Sequence, residues 1–119
     1  MTGQQIAALL GFSALLAAGQ ALFKASALKL GQTGGTVGGL FSLVAMPGFW
    51  LALALYGAGT LLWIYILQTV PLSRAYPFAA LGFVIVPIIA ALLFAERLNL
   101  TYALGAALIV AGVIVTARA

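Results

Sequence analysis

Cysteine and histidine are absent from this chain, and Glu96 is its single acidic residue. No cysteine means no disulfide and no thiolate metal ligand. Without histidine, and with one carboxylate, the chain lacks the donors for a protein-built metal site and lacks an acid–base pair. No metal or other cofactor is expected, nor hydrolase or transferase chemistry. Charge of either sign is scarce: charged residues make up 5% of the 119 positions, where a soluble domain carries about 25%. The five bases stand singly, with no Lys/Arg run. Nucleic acid is therefore not an expected partner.

What fills the chain instead is apolar. Hydrophobic residues make up 66% of it, and the mean hydropathy is +1.27. A soluble fold of this length cannot hide so much apolar surface. The chain reads as one integral membrane domain over 1–119, surrounded by membrane lipid. The N-terminus lacks a basic n-region and its apolar run is long, so a cleavable signal peptide is not expected.

Crossing roughly 30 Å of hydrocarbon takes about 20 helical residues. Runs at about 6–28, 49–67, 75–95 and 99–117 meet that length. Lipid leaves no partner for unpaired backbone groups, so each run is expected to be a helix. The fold class is all-α, a bundle of four transmembrane helices. Pro47–Gly48 precedes the second span, Pro71 closes it, and Asn99 or Thr101 is the expected N-cap of the fourth. The glycine-rich stretch 29–46 is expected to be a flexible loop whose apolar end dips into the interface or extends the second helix. With the N-terminus inside, Arg74 and Arg118 face the cytoplasm while Lys29 and Arg97 lie outside. The positive-inside bias is nearly balanced.

Lys24 is the most informative position. It lies late in the first span, and no acidic residue occurs before Glu96. Glu96 itself is expected to pair with its neighbour Arg97. A cation at membrane depth costs roughly 2.5–3.5 kcal/mol on insertion scales unless it snorkels or is paired. Either Lys24 reaches the headgroup layer, or an anionic ligand arrives from outside to meet it. Ser13, Ala17, Gln20 and Lys24 share one helical stripe, a polar seam on which Gln20 and Ser13 are candidate ligand contacts.

Two stretches carry a family resemblance: "AAGQALFKASA" in the first span, and "LQTVPLSRAYPFAALGFVIVPIIAALLFAERLNLTYALGAALIVAGVIVTAR" through the third and fourth. They resemble the four-helix branch of the drug/metabolite transporter superfamily. "VPLSRAYPF" and "GAALIVAG" are similar to the small multidrug resistance proteins. That family's cation and proton site is a glutamate in the first helix, and the matching position here is Leu16. Its Trp–Ser–Gly pattern is replaced near Ala79, Ala80 and Leu81. "AGQ…K", "LW…LQ.VP…AYP" and the glutamate closing the third span are closer to flippase subunits for 4-amino-4-deoxy-L-arabinose-phosphoundecaprenol. That resemblance implies a transporter rather than an enzyme. It implies alternating-access movement of an anionic polyprenyl-phosphate-linked sugar across a bacterial inner membrane. It also implies a homodimer, or a heterodimer with a similar four-helix subunit.

Each candidate residue has two readings. Lys24 is a phosphate anchor or a snorkelling base. Arg74, beside a helix N-terminus, is a phosphate clamp assisting Lys24 or a lipid-headgroup anchor. Tyr76, held extended by Pro77, contacts substrate or belongs to an aromatic belt. Trp63, on one face with Tyr56 and Thr60, lines a groove or packs in the core. Gly82 and Pro87 divide the third span as a hinge for alternating access or as a static kink. Gly105 and Gly112 form a small-residue stripe for dimerisation or for packing within the chain.

Overall fold

The computed structural model describes residues 2–32, 34 and 38–119. Within these residues the chain is helical, with no strand. Helix α1 spans Gly3–Gln32, α2 Pro47–Leu67, α3 Leu72–Ala79, α4 Gly82–Phe94 and α5 Leu100–Ala117. Four helical units are long and apolar enough to cross a membrane: α1, α2, α3 with α4, and α5.

Local chemistry sets the ends. Thr2 and Gln5 form a reciprocal cap on α1: Thr2 Oγ1 accepts from the Gln5 N–H at 3.1 Å, and Gln5 Oε1 accepts from the Thr2 N–H at 2.9 Å. Pro47 opens α2, where its missing N–H costs nothing. Asn99 caps α5 by accepting from the Tyr102 N–H at 2.7 Å, which selects Asn99 over Thr101. Helix α1 has 30 residues, or about 45 Å, and so outreaches the hydrocarbon layer. It runs on through Lys29 to Gln32, where a loop was expected. Positions 38–45 wind into a 3-10 helix rather than open coil. The remainder of that expected loop, 33 and 35–37, lies outside the described residues.

The third span corrects the sequence reading in detail. It starts at Leu72 with Pro71 as its N-cap, rather than at 75, and breaks in two at Ala80–Leu81. Pro77 lies inside α3, so Tyr76 is helical and not extended. Proline disfavours helix in the residue before it but does not forbid it, and here the flanking turns decide. Around the break, i→i+3 bonds replace the α pattern: Ala80 N–H to Pro77 O, Leu81 N–H to Phe78 O and Phe83 N–H to Ala80 O. Pro87 is accommodated within α4.

The apolar core lies at one end of the bundle. Leu9 and Phe12 of α1, Ile66 of α2, Val70 in the turn after it, Ala75 and Phe78 of α3, and Val113 of α5 are buried together. Beyond the core, residues of α1 and α4 line a groove. The core thus clasps one end while the opposite end holds open space.

Candidate functional site

The groove begins where Ser13 ends the core. Ser13 is buried, and its hydroxyl lies 3.1 Å from the Leu9 carbonyl and 2.9 Å from the Phe78 carbonyl. Phe78 O sits just before the break in the third span, so Ser13 ties α1 to the fixed side of that break. The hydroxyl is engaged by backbone, although Ser13 also borders the groove.

Above Ser13 lies a cavity of about 340 Å³, walled by Leu16, Gln20, Tyr56, Phe83, Pro87 and Tyr102 among others. Gln20 Nε2 donates to the Tyr56 hydroxyl. The Tyr56 ring lies over Gly19: a Cβ there would meet its Cε2 at 2.6 Å. Glycine at position 19 is what lets the ring lie close to α1 and deliver its hydroxyl to Gln20. Tyr102 does not stand out in the sequence. Its hydroxyl donates to the Phe83 carbonyl at 2.8 Å. Pro87 explains why: it has no N–H, so the carbonyl four residues earlier loses its helical donor, and Tyr102 supplies one. A proline in one span and a tyrosine on the next is the sequence signal for this contact.

A second cavity, about 360 Å³, continues the groove past the shared walls Gln20 and Val86. Phe23, Lys24, Phe94 and Glu96 line it. Here the structure overturns the expectation that Lys24 has no acidic partner within the chain. Lys24 Nζ lies 3.4 Å from Glu96 Oε1, with the two side chains 45% and 46% exposed. Arg97, adjacent in sequence, is not the partner. Helix α4 ends against the upper part of α1, and Ala95 takes up a left-handed conformation (φ 53°, ψ 30°). That turn, closed by a bond from the Glu96 N–H to the Ala90 carbonyl at 3.3 Å, returns Glu96 toward α1.

Arg74 does not join Lys24. It stands one turn before Phe78, which is level with Ser13, while Lys24 is eleven residues beyond Ser13 on a parallel course. At 1.5 Å per residue the two bases are roughly 20 Å apart along the bundle. Within one chain the two bases thus stand toward opposite ends of the bundle, because the stripe rises away from the end at which α3 begins. Tyr76 is 68% exposed and meets the edge of Trp63 at 6.5 Å between ring centroids. Trp63 stacks on Phe12 at 4.7 Å, beside the core and away from the groove walls. Gly82 follows the helix break immediately and lines the first cavity, as does Pro87. A Cβ on Gly105 or Gly112 would meet nothing within 4 Å, so packing within the chain does not account for either glycine.

Comparison with known proteins adds an independent line. No family model and no solved structure matches the chain. It is 42% identical over 67 residues to the probable 4-amino-4-deoxy-L-arabinose-phosphoundecaprenol flippase subunit ArnE of Pseudomonas fluorescens. The corresponding subunit of Pseudomonas aeruginosa is 43% identical over 72 residues, and that of Erwinia tasmaniensis 47% over 66. These matches cover 56%, 60% and 54% of this chain. They span 59%, 63% and 61% of the relatives, less than two thirds of their length. Four apolar spans and this likeness make the chain a multi-pass protein of the bacterial inner membrane. Over somewhat more than half its length, it is similar to subunits named as lipid-linked aminosugar flippases.

Proposed function

We propose that this chain is one subunit of a flippase that carries an anionic undecaprenyl-phosphate-linked sugar across the inner membrane by alternating access. The carrying observation is Lys24, half-exposed in the wall of a groove between α1 and α4. A primary ammonium is a compact point charge suited to a phosphodiester. Pairing lowers the cost of taking that anion into the bilayer, which is what makes unaided flipping slow. Gln20 and the Tyr56 hydroxyl offer polar contacts deeper in the groove, and its apolar walls leave the isoprenoid tail free to remain in lipid. Arg74 serves the opposite membrane face as a headgroup anchor.

Two further features support the reading. Leu16 lines the first cavity at the position where small multidrug resistance proteins resemble this chain but carry their glutamate. Export of an organic cation by that device has no carboxylate here. The groove is also open along one side, and the glycines of α5 face open space. A second four-helix subunit, identical or similar, would close the path.

Thermal stabilisation of the purified chain tests the proposal. Undecaprenyl phosphate at 100 times its dissociation constant contributes about 2.7 kcal/mol, and a quaternary ammonium compound and a neutral prenol contribute none. Lys24→Ala abolishes the phosphate effect. Equal stabilisation of wild type and Lys24→Ala would reduce Lys24 to a snorkelling base and favour an assembly role for the subunit.

A further inference from the structure

We propose that Lys24 and Glu96 together form a paired-charge site that reads a zwitterionic headgroup, with Lys24 taking its phosphodiester and Glu96 its primary amine. This rests on the flippase reading above and names what that site distinguishes.

The chain's only acid stands beside the candidate binding lysine. For a ligand that is anionic and nothing more, a carboxylate 3.4 Å from the binding lysine is counterproductive. It occupies the ammonium before the ligand arrives and repels the incoming phosphate. A ligand carrying both signs reverses that balance. One internal pair is exchanged for two intermolecular pairs, the net charge of the site is unchanged, and no charge is left without a partner. The geometry permits the exchange. Both side chains are close to half-exposed and both line the same cavity of about 360 Å³. The long, flexible lysine stem lets the ammonium move off the carboxylate without moving the helix.

The backbone supplies a second observation. Ala95 is the one non-glycine residue with positive φ among the described residues. Ala95 is the C-cap of α4, where a left-handed residue commonly ends a helix, although alanine adopts it at a cost. It is the residue before Glu96 and turns the carboxylate back over the groove. Phe23 and Phe94 flank the pair and provide apolar surface for the carbon face of a sugar ring.

The experiment uses the full chain in nanodiscs and two synthetic undecaprenyl phosphodiesters that differ in one group. One bears 4-amino-4-deoxy-L-arabinose, the other L-arabinose with a hydroxyl in place of the amine. Wild type is expected to bind the amine lipid about tenfold more tightly. Glu96→Gln is expected to lose that preference and to bind the hydroxyl lipid more tightly than wild type does. Glu96→Asp, which keeps the charge, retains a preference for the amine and guards against a merely unfolded variant. Lys24→Ala weakens both lipids. Equal binding of the two lipids by wild type would overturn the paired-charge site while leaving the flippase reading intact. The site is overturned equally if Glu96→Gln weakens both lipids to the same extent, since the pair is then only a clasp between α1 and the end of α4. Binding of neither lipid would remove the flippase reading, and this inference with it.

Discussion

The first two helices and the last two solve the same problem in opposite ways. Helices α1 and α2 lock together by shape. Tyr56 lies on Gly19, a Cβ at Gly59 would stand 3.4 Å from Leu16 Cδ2, and Phe12 stacks on Trp63. Helices α4 and α5 meet through little more than the bond from Tyr102 to the Phe83 carbonyl and present their apolar faces outward. In the first span 28% of the apolar stretch is buried, against 6% in the third and in the fourth. In water such exposure would be a defect, but lipid tails solvate it without cost. The difference separates a scaffold from a surface that remains free for lipid or for a second subunit.

Four substitutions sharpen that contrast. Gly19→Leu drives a side chain into the Tyr56 ring, and overpacking of this kind costs about 1–3 kcal/mol. A large fall in the melting temperature of the purified protein is expected, together with loss of the Gln20–Tyr56 contact. Tyr102→Phe strips the donor from the Phe83 carbonyl. Hydrogen bonds within membrane bundles average about 0.6 kcal/mol and reach about 1.7, and the carbonyl left bare by Pro87 places this one toward the upper end. A smaller but clear drop in thermal stability checks it. Ala95→Gly relieves the left-handed strain and is expected to stabilise by about 0.5–1 kcal/mol, visible as a modest rise in melting temperature. Gly112→Leu should leave the melting temperature of the isolated subunit within about 0.5 kcal/mol of wild type, because open space receives the new side chain. It should nevertheless abolish cross-linking between copies in the membrane. A melting loss as large as that of Gly19→Leu would mean that α5 is packed inside the subunit after all.

Much of this architecture is legible in the residues. Runs of apolar sequence locate the four spans to within a few positions, because lipid imposes length and helicity together. Asn99 announces its own helix, and the polar stripe through Gln20 and Lys24 points to the groove. The partner of Lys24 is not legible. Adjacency in sequence suggests that Arg97 holds Glu96, whereas a helix end and one left-handed alanine decide where the carboxylate points. Basicity alone groups Arg74 with Lys24. Only the register of α3 against α1, set by Ser13 and Phe78, shows that they stand at opposite ends. For Trp63 the sequence leaves groove and core both open, and only the stack on Phe12 shows it beside the core.

The break at Ala80–Leu81 acquires a mechanical meaning from the two hydroxyl groups on either side of it. Below the joint, Ser13 rivets Phe78 to α1, so α3 belongs to the stationary frame. Above it, Tyr102 lashes α5 to α4 at Phe83. A tilt of α4 about the joint would therefore draw the first turn of α5 with it, as an arm anchored at its far end where Val113 sits in the core. Because the outer face of that arm is bare, anything seated on it would feel the displacement. Two side-chain oxygens, each holding a carbonyl near the same bend, turn a helix discontinuity into a lever.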